Sequence, residues 1–266
     1  MGHVYSAWVG WREAQQSGGR FLLRIDDIDT SRARPEYVEA IQQDLAWLGL
    51  DWDGDIYTQT RHQAAYDAAL AALDDLGVLY PCTCTRKQIM AELEAAGGAP
   101  HGPDGPLYPG TCKHKSADEQ AALIQAGTPH ALRLDCSKAI ELAGALTWHD
   151  RSAGNQPAQP ETLGDVVLAR KDARNSYHLS VVIDDAAQDI SLVTRGKDLF
   201  HATHMHRLLQ ALLNVTPPDY LHHELVVDDS GKRLAKRDDA RAIAHYRDAG
   251  LSPAEVRALA GIPEDL

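Results

Sequence analysis

The sequence predicts an α/β fold, a parallel sheet with flanking helices that carries a small cysteine-bearing insertion. Three observations predict it. Phe21 to Ile25 is a short apolar run bounded by Gly18 and Gly19 and closed by Asp26, Asp27 and Asp29. That pattern suits a buried parallel strand ending at the edge where open α/β sheets bind ligands. Pro35 at a first helical position, with Tyr37, Ile41, Leu45 and Leu48 at helical spacing, completes a unit of strand, acidic turn and amphipathic helix. Beyond Leu163 short β-branched runs return, at Asp165 to Arg170, Tyr177 to Ile183 and Ile190 to Arg195. The second of these closes on Asp184 and Asp185, and the third leads through Gly196 into a helix over about Leu199 to Leu213.

The remaining elements follow in chain order. Val4, Ala7, Trp8, Trp11 and Ala14 recur at helical spacing, so a helix starts almost at residue 1. Asp53-Gly54 is a turn signal, a second helix covers about Arg61 to Leu76 with Gly77 as its C-cap, and Val78 to Pro81 is a short strand leading into Cys82-Thr-Cys84. Residues 96–112 are too rich in glycine and proline for a helix or a central strand and require an external organiser. Cys82, Cys84 and Cys112 offer three thiolates there, and Tyr108, His101 or His114 could complete a tetrahedral zinc site. The bland alternative is three thiols packed as small hydrophobes. Cys136 lies in another segment and reads as a packed residue; His201, His204 and His206, on the start of the later helix, read as capped or exposed rather than metal-bound. Leu225 to Asp228 is a further strand. Asp229-Ser-Gly231 turns out of it into Lys232 to Arg237, which places four positive charges in six positions ahead of two short helices. Such a glycine-led basic loop could clamp a polyphosphate, or it could be a solvated surface loop.

Composition bounds the function. With 266 residues, 44% of them hydrophobic, the chain can bury a substantial core. A formal charge of −12 argues against a bulk polyanion binder, since non-specific nucleic-acid affinity comes from lysine and arginine neutralising phosphates, but leaves room for a local basic face. No apolar run approaches the roughly 20 residues of a membrane span, and no signal-peptide pattern opens the sequence. Four cysteines, three of them clustered, fit a metal site in a reducing compartment better than a disulfide framework. A cytoplasmic protein without membrane contact is expected.

Taken together, these stretches resemble the catalytic part of a class I aminoacyl-tRNA synthetase of the glutamate type. Gly2-His3 is similar to the second half of the His-x-Gly-His signature, and Arg24 to Asp29 resembles the Arg-Ile-Glu-Asp segment. Gly164 to Leu168, Tyr177 to Asp185 and Arg195 to Leu199 resemble the second half of the nucleotide-binding fold, and Arg233 to Arg237 the Lys-Met-Ser-Lys-Ser signature. The matches run in the family's order. The sequence departs from the pattern at Asp26, where glutamate is usual, at Ala235, which lacks the signature serine, at Arg233, which replaces its first lysine, and in the turn from Lys171 to Ser176.

The resemblance implies a Rossmann-like catalytic domain with a zinc-containing insertion and a short helical C-terminal segment. It divides the chain into a first Rossmann half over 1–80, the insertion over 81–160, a second half with the signature loop over 161–237, and helices over 238–266. Within the family the chain is similar to the shortened branch without an anticodon-binding domain. That branch activates L-glutamate with ATP and Mg2+ in the absence of tRNA, then esterifies it to the cyclopentene-diol of queuosine in the anticodon loop of tRNA(Asp). The implied roles are catalysis by His3 and Lys236; ATP binding by Gly2, His3, Arg233 and Lys236; glutamate binding by Asp26, Tyr177 and Arg195; and structural zinc held by Cys82, Cys84, Tyr108 and Cys112. A monomer is expected. The competing readings are a shortened glutamyl-tRNA synthetase that charges a tRNA 3′ end, and a non-catalytic adenylate- or tRNA-binding module. In the family a strand and a glycine-rich turn precede His-x-Gly-His, so the resemblance also predicts an upstream start adding about 15–25 residues, or else a fragment without activity.

Overall fold

A computed structural model of the chain describes residues 1–29, 33–95, 101–103, 105–170, 175–226 and 243–263. The chain divides into two units, the first made of Met1–Gln59, Leu192–Leu199 and Tyr220–Leu266, the second of Thr60–Ser191 and Phe200–Asp219.

In the first unit the helix Gly2–Ser17 buries Val4, Trp8 and Val9 and ends at Gly18, whose φ of 63° suits glycine, with the Gly19 amide returning to the Ala14 carbonyl at 2.8 Å. Gly10 lies where the helix meets two neighbours. A Cβ on it would stand 2.9 Å from Thr194 Oγ1 and 3.1 Å from the Phe21 ring. The expected strand at Phe21 to Ile25 is assigned only over Arg24–Ile25, which pairs in parallel with Tyr57–Thr58. The carbonyls of Phe21 and Leu23 still accept from the amides of Asp53 and Tyr57, at 2.7 and 3.1 Å, so the extended run is longer than its regular part. Helix Pro35–Trp47 has proline in its first turn as expected, but the stripe read from the sequence is covered only in part. Leu45 and Leu48 are buried, whereas Tyr37 and Ile41 are 54% and 43% exposed.

Strands Leu192–Gly196 and Asp219–His223 are hydrogen-bonded neighbours. The second corrects the strand expected from Leu225. Pairing falls on the alternately buried Tyr220 and His222, while Leu225 and Val226 carry no regular structure and the rest of that stretch lies outside the described residues. Helix Pro253–Leu259, opened by a capping box between Ser252 and Glu255, adds Val256 to a core of Trp8, Leu45, Leu48 and Leu50, and Arg257 donates to the Leu48 carbonyl at 2.8 Å.

The second unit is built on an antiparallel sheet, with Ala131–Leu134 central between Leu79–Cys82 and Val167–Ala169. Helices Gln63–Asp75, Cys136–Ala143, Tyr177–Ala187 and Ala202–Leu212 share a core of Tyr66, Leu73, Leu134, Leu168, Leu179, Met205 and Leu209 with that sheet. Tyr177 to Ile183 is therefore helix, not the strand expected, and Asp184 sits within that helix instead of closing a strand. Ser176 caps it by accepting from the Leu179 amide, and Leu179, Ser180, Val181, Val182 and Asp184 are all buried. A helix covered on nearly every side loses its amphipathic signature, so a β-branched run in it reads like a strand. The Tyr66 hydroxyl donates to Asp184 at 2.6 Å, satisfying two fully buried polar groups far apart in sequence. Hairpin Thr147–Asp150 with Gly154–Pro157 closes over the buried Asp150, which accepts from the amides of Ser152 and Ala153, both at 2.9 Å.

Candidate functional site

The unit-one residues singled out from the sequence lie on three neighbouring elements. His3 is exposed in the first turn of helix Gly2–Ser17, directly after Gly2. Unpaired amides at a helix N-terminus favour anions, so this end of the helix is suited to a phosphate. Asp26, at the carboxyl end of Arg24–Ile25, is exposed and accepts from Arg24 Nε at 2.8 Å. Arg195 is buried near the end of strand Leu192–Gly196. The Gly10 junction joins the three, because Thr194 and Phe21 meet the helix there.

Arg195 has a polar setting that the sequence did not indicate. Its Nε donates to His222 Nε2 at 3.0 Å, and its guanidinium carbon lies 5.3 Å from the centre of the Tyr220 ring, which stacks on His222 at 6.0 Å and 11°. Both partners are buried on the neighbouring strand. Accepting from Nε requires His222 Nε2 to be unprotonated, which places its proton on Nδ1. The pair orients a buried planar cation, the group best matched to a carboxylate.

Tyr177 belongs to the second unit. It is the first residue of helix Tyr177–Ala187, packs edge-on against His206 at 5.6 Å, and lines a cavity of about 560 Å³. Arg133, Asp165, Asn175 and Tyr108 also face this cavity, and the buried Nδ2 of Asn175 and Nε of Arg133 have no hydrogen-bond partner in the structure. Polar atoms left in this way beside a cavity are positions at which a ligand group would be satisfied. Neither residue stood out in the sequence, because an isolated arginine or asparagine carries no spacing signal. Arg233 and Lys236, in the basic loop, lie outside the described residues.

The cysteine cluster forms as its spacing suggested. Strand Leu79–Cys82 delivers Cys82, the following turn Cys84, and the loop beyond Gly105–Pro106 brings Tyr108 and Cys112 back to them. The three sulfurs lie within 4.8 Å of one another, Cys84 Sγ is 3.5 Å from Cys112 Sγ, and the Tyr108 oxygen is 3.4 Å from Cys82 Sγ and 3.5 Å from Cys84 Sγ. Donors placed tetrahedrally about one zinc stand roughly 3.5–3.8 Å apart, so this set fits the ion. Arg133 stacks over the Tyr108 ring at 3.9 Å, and the Cys112 amide donates to its oxygen at 2.9 Å. Burial pushes the Cys84 thiol up to about 11 and raises the Tyr108 hydroxyl. At Cys112 burial acts in the same direction, but hydrogen bonds from the Thr83 amide, Tyr108, Cys84 and the Thr83 hydroxyl outweigh it and bring the thiol down to about 7.

The surroundings of the cluster are polar and connected. Lys113 bridges Asp135 at 2.7 Å and Asp165 at 3.4 Å, and Asp165 accepts from the Tyr80 hydroxyl at 2.6 Å and the Cys136 amide at 2.9 Å. Burial first and Asp165 second raise the Tyr80 hydroxyl. Cys136 is a packed residue, its thiol pushed up to about 12 chiefly by burial. Among the described residues the three-cysteine set is the metal-compatible cluster, and neither His114 nor the later histidines join it. The side chain of His101 lies outside the described residues. No described helix is long and apolar enough to cross a membrane.

Comparison with known proteins places this architecture. The family of class I tRNA synthetases (E and Q), catalytic domain, matches residues 1–260, and the chain belongs to that family of ligases. Within it, a glutamyl-Q tRNA(Asp) synthetase from Rhodobacter capsulatus is 46% identical over 98% of this chain and 95% of its own length. A glutamate–tRNA ligase from Thermosynechococcus vestitus is 37% identical over 96% of this chain but 52% of its own. The crystal structure of the glutamate–tRNA synthetase from Elizabethkingia anophelis superposes with a TM-score of 0.76 at 26% identity, over 90% of this chain and 50% of that one. The chain therefore spans about half the length of that solved synthetase and nearly the whole of the glutamyl-Q relative.

Proposed function

We propose that the chain activates L-glutamate with ATP, without tRNA, and transfers it to the queuosine of the tRNA(Asp) anticodon. The observation that carries this reading is the match to the glutamyl-Q relative over 98% of this chain and 95% of its own length, together with a buried arginine oriented by His222. In the first step the α-carboxylate of glutamate attacks the α-phosphate of ATP and pyrophosphate leaves. In the second, a hydroxyl of the cyclopentene-diol attacks the glutamyl carbonyl and AMP leaves with the bonding pair. Both steps ask the protein chiefly for positioning and charge stabilisation.

In this proposal Arg195 pairs with the side-chain carboxylate of glutamate, oriented by His222; Asp26 meets the ammonium and Tyr177 hydrogen-bonds the substrate. Gly2 and His3, at the helix N-terminus, receive the phosphates, with Arg233 and Lys236 of the basic loop stabilising the charge that develops as pyrophosphate departs. Mg2+ accompanies the nucleotide. Cys82, Cys84, Tyr108 and Cys112 hold one zinc whose work is to order residues 96–112. The division into two catalytic halves, insertion and C-terminal helices belongs to the same proposal, as does a monomeric enzyme.

The test is pyrophosphate exchange into ATP across amino acids with no tRNA, followed by transfer assays on tRNA(Glu) and on tRNA(Asp) with and without queuosine. Glutamate-dependent exchange and transfer only to queuosine-containing tRNA(Asp) are expected. Charging of tRNA(Glu) would replace the reading with a 3′-end synthetase, and absence of exchange would replace it with a binding module.

A further inference from the structure

The second unit contains another recess, of about 570 Å³, which shares Gly102, Pro103 and Leu107 with the cavity lined by Tyr177 and is otherwise faced by Gln156, Phe200, His201 and His204. None of the residues assigned above to glutamate or ATP lines it. Its polar groups are nonetheless fixed. His204 is 6% exposed, and its Nδ1 accepts from the Trp148 indole at 3.2 Å and from the Gln159 amide at 3.3 Å. Two donors on one ring nitrogen leave the proton on Nε2. Burial, reinforced by His201, lowers the pKa of His204, so the ring is neutral near pH 7. His204 lines the recess and carries its one ring proton on Nε2. Gln156 gives its amide N–H to the Ala153 carbonyl at 2.7 Å, which fixes its own carbonyl oxygen as the acceptor end of the side chain.

Apart from Gln159 and Thr162, the rest of the wall is flat or apolar. Phe200 is held edge-on by Trp148 at 4.9 Å, His201 stands 6.2 Å from Phe200, and Leu107, Pro103 and Pro157 cover the other side. Ring surfaces beside a fixed edge donor are the means by which proteins take up splayed-out bases. Charge argues against a phosphate subsite, because among the described residues no lysine or arginine lines the recess and the chain carries −12 overall. With little phosphate neutralisation to draw on, an RNA-acting chain of this charge needs contacts to bases.

We propose that this recess docks one unpaired base of the RNA substrate, neighbouring the nucleotide that receives glutamate, with stacking on Phe200 and His201 and a hydrogen bond from His204 Nε2. The inference rests on the functional reading above. It is tested on the full chain by the affinity of Phe200→Ala and His201→Ala for the unmodified anticodon stem-loop of tRNA(Asp), measured by fluorescence anisotropy. Glutamate-dependent pyrophosphate exchange, which needs no RNA, is measured on the same preparations. Each variant should bind the stem-loop about tenfold more weakly, and His201→Trp should restore binding. A stem-loop made abasic at one loop position should bind all the proteins equally weakly. Unchanged RNA affinity in His201→Ala, whose exposed side chain leaves the core intact, overturns the base site even if Phe200→Ala fails to fold. Absence of exchange in the unsubstituted chain overturns the functional reading instead.

Discussion

Replacing Arg195 by alanine tests the substrate assignment at its strongest point. Arg195 is only 7% exposed, donates to His222 at 3.0 Å and lies against Tyr220 at 5.3 Å, so a carboxylate paired with it is largely withdrawn from water. An exposed ion pair contributes about 0–1 kcal/mol, but truncating one partner of a desolvated pair costs about 2–5 kcal/mol, much of it the penalty on the charge left behind. The expected result in pyrophosphate exchange is a KM for glutamate raised about 30-fold to a few thousand-fold, with the KM for ATP little changed. Arg195→Lys separates charge from geometry. It keeps the cation but loses the planar N–H that His222 accepts, so it should recover only part of the loss. Thermal melting of both variants identifies any failure to fold. An unchanged glutamate KM in folded Arg195→Ala would show that another residue holds the substrate and that the assignment is wrong.

Further outcomes are expected elsewhere. Purified without chelators, the protein should carry about one zinc per chain, and Cys112→Ser should lose it; because ligand thiols must shed protons, zinc affinity should fall as pH falls. Elemental analysis showing almost no metal would refute that site. Tyr66→Phe removes a fully buried bond to Asp184 worth about 1.5–3 kcal/mol, and should lower Tm by roughly 3–10 °C in calorimetry. Asp135 is partly buried, but Lys113, the Lys138 amide and Ser137 hold its carboxyl below the usual range. A depressed folded pKa gives stability that is complete above the unfolded value and lost as pH falls through the folded one. The Tm difference between the protein and Asp135→Asn, which keeps the N-cap, should therefore narrow as pH drops below about 4. Lys236→Ala should slow adenylate formation with little effect on glutamate affinity, since its proposed contact is to charge that develops in the transition state.

What could be read from the sequence depended on the range of the forces involved. The cysteine cluster was legible because three thiols flank a stretch that cannot order itself, and chelation chemistry leaves few other arrangements. The helix start at Pro35 was legible because the preference of proline for the first helical turn is local. The helix Tyr177–Ala187 was not, since burial on nearly all sides erases the periodicity that separates helix from strand. Tyr37 and Ile41 misled in the opposite sense, since helical spacing identifies a face but not whether anything covers it. The Arg195–His222 pair was invisible because it is set by two strands meeting across a long sequence separation. The edge acid at Asp26 and the arginine strand were placed as expected, but the residue that orients the arginine appears only once those strands are side by side.

The junction of Cys84 with Cys112 has a consequence for the unfolded chain. The two residues are 28 apart in sequence, and a bond joining them through an ion closes that stretch into a ring. Ring closure of this size removes conformational freedom from the denatured ensemble equivalent to roughly 3–4 kcal/mol in the chain-entropy treatment of cross-links. A disulfide would do the same, but only with an oxidant and only beyond reach of cellular reductants. An ion held by thiolates is reversible on the supply of metal, so protease resistance of the segment between the cysteines would follow metal availability.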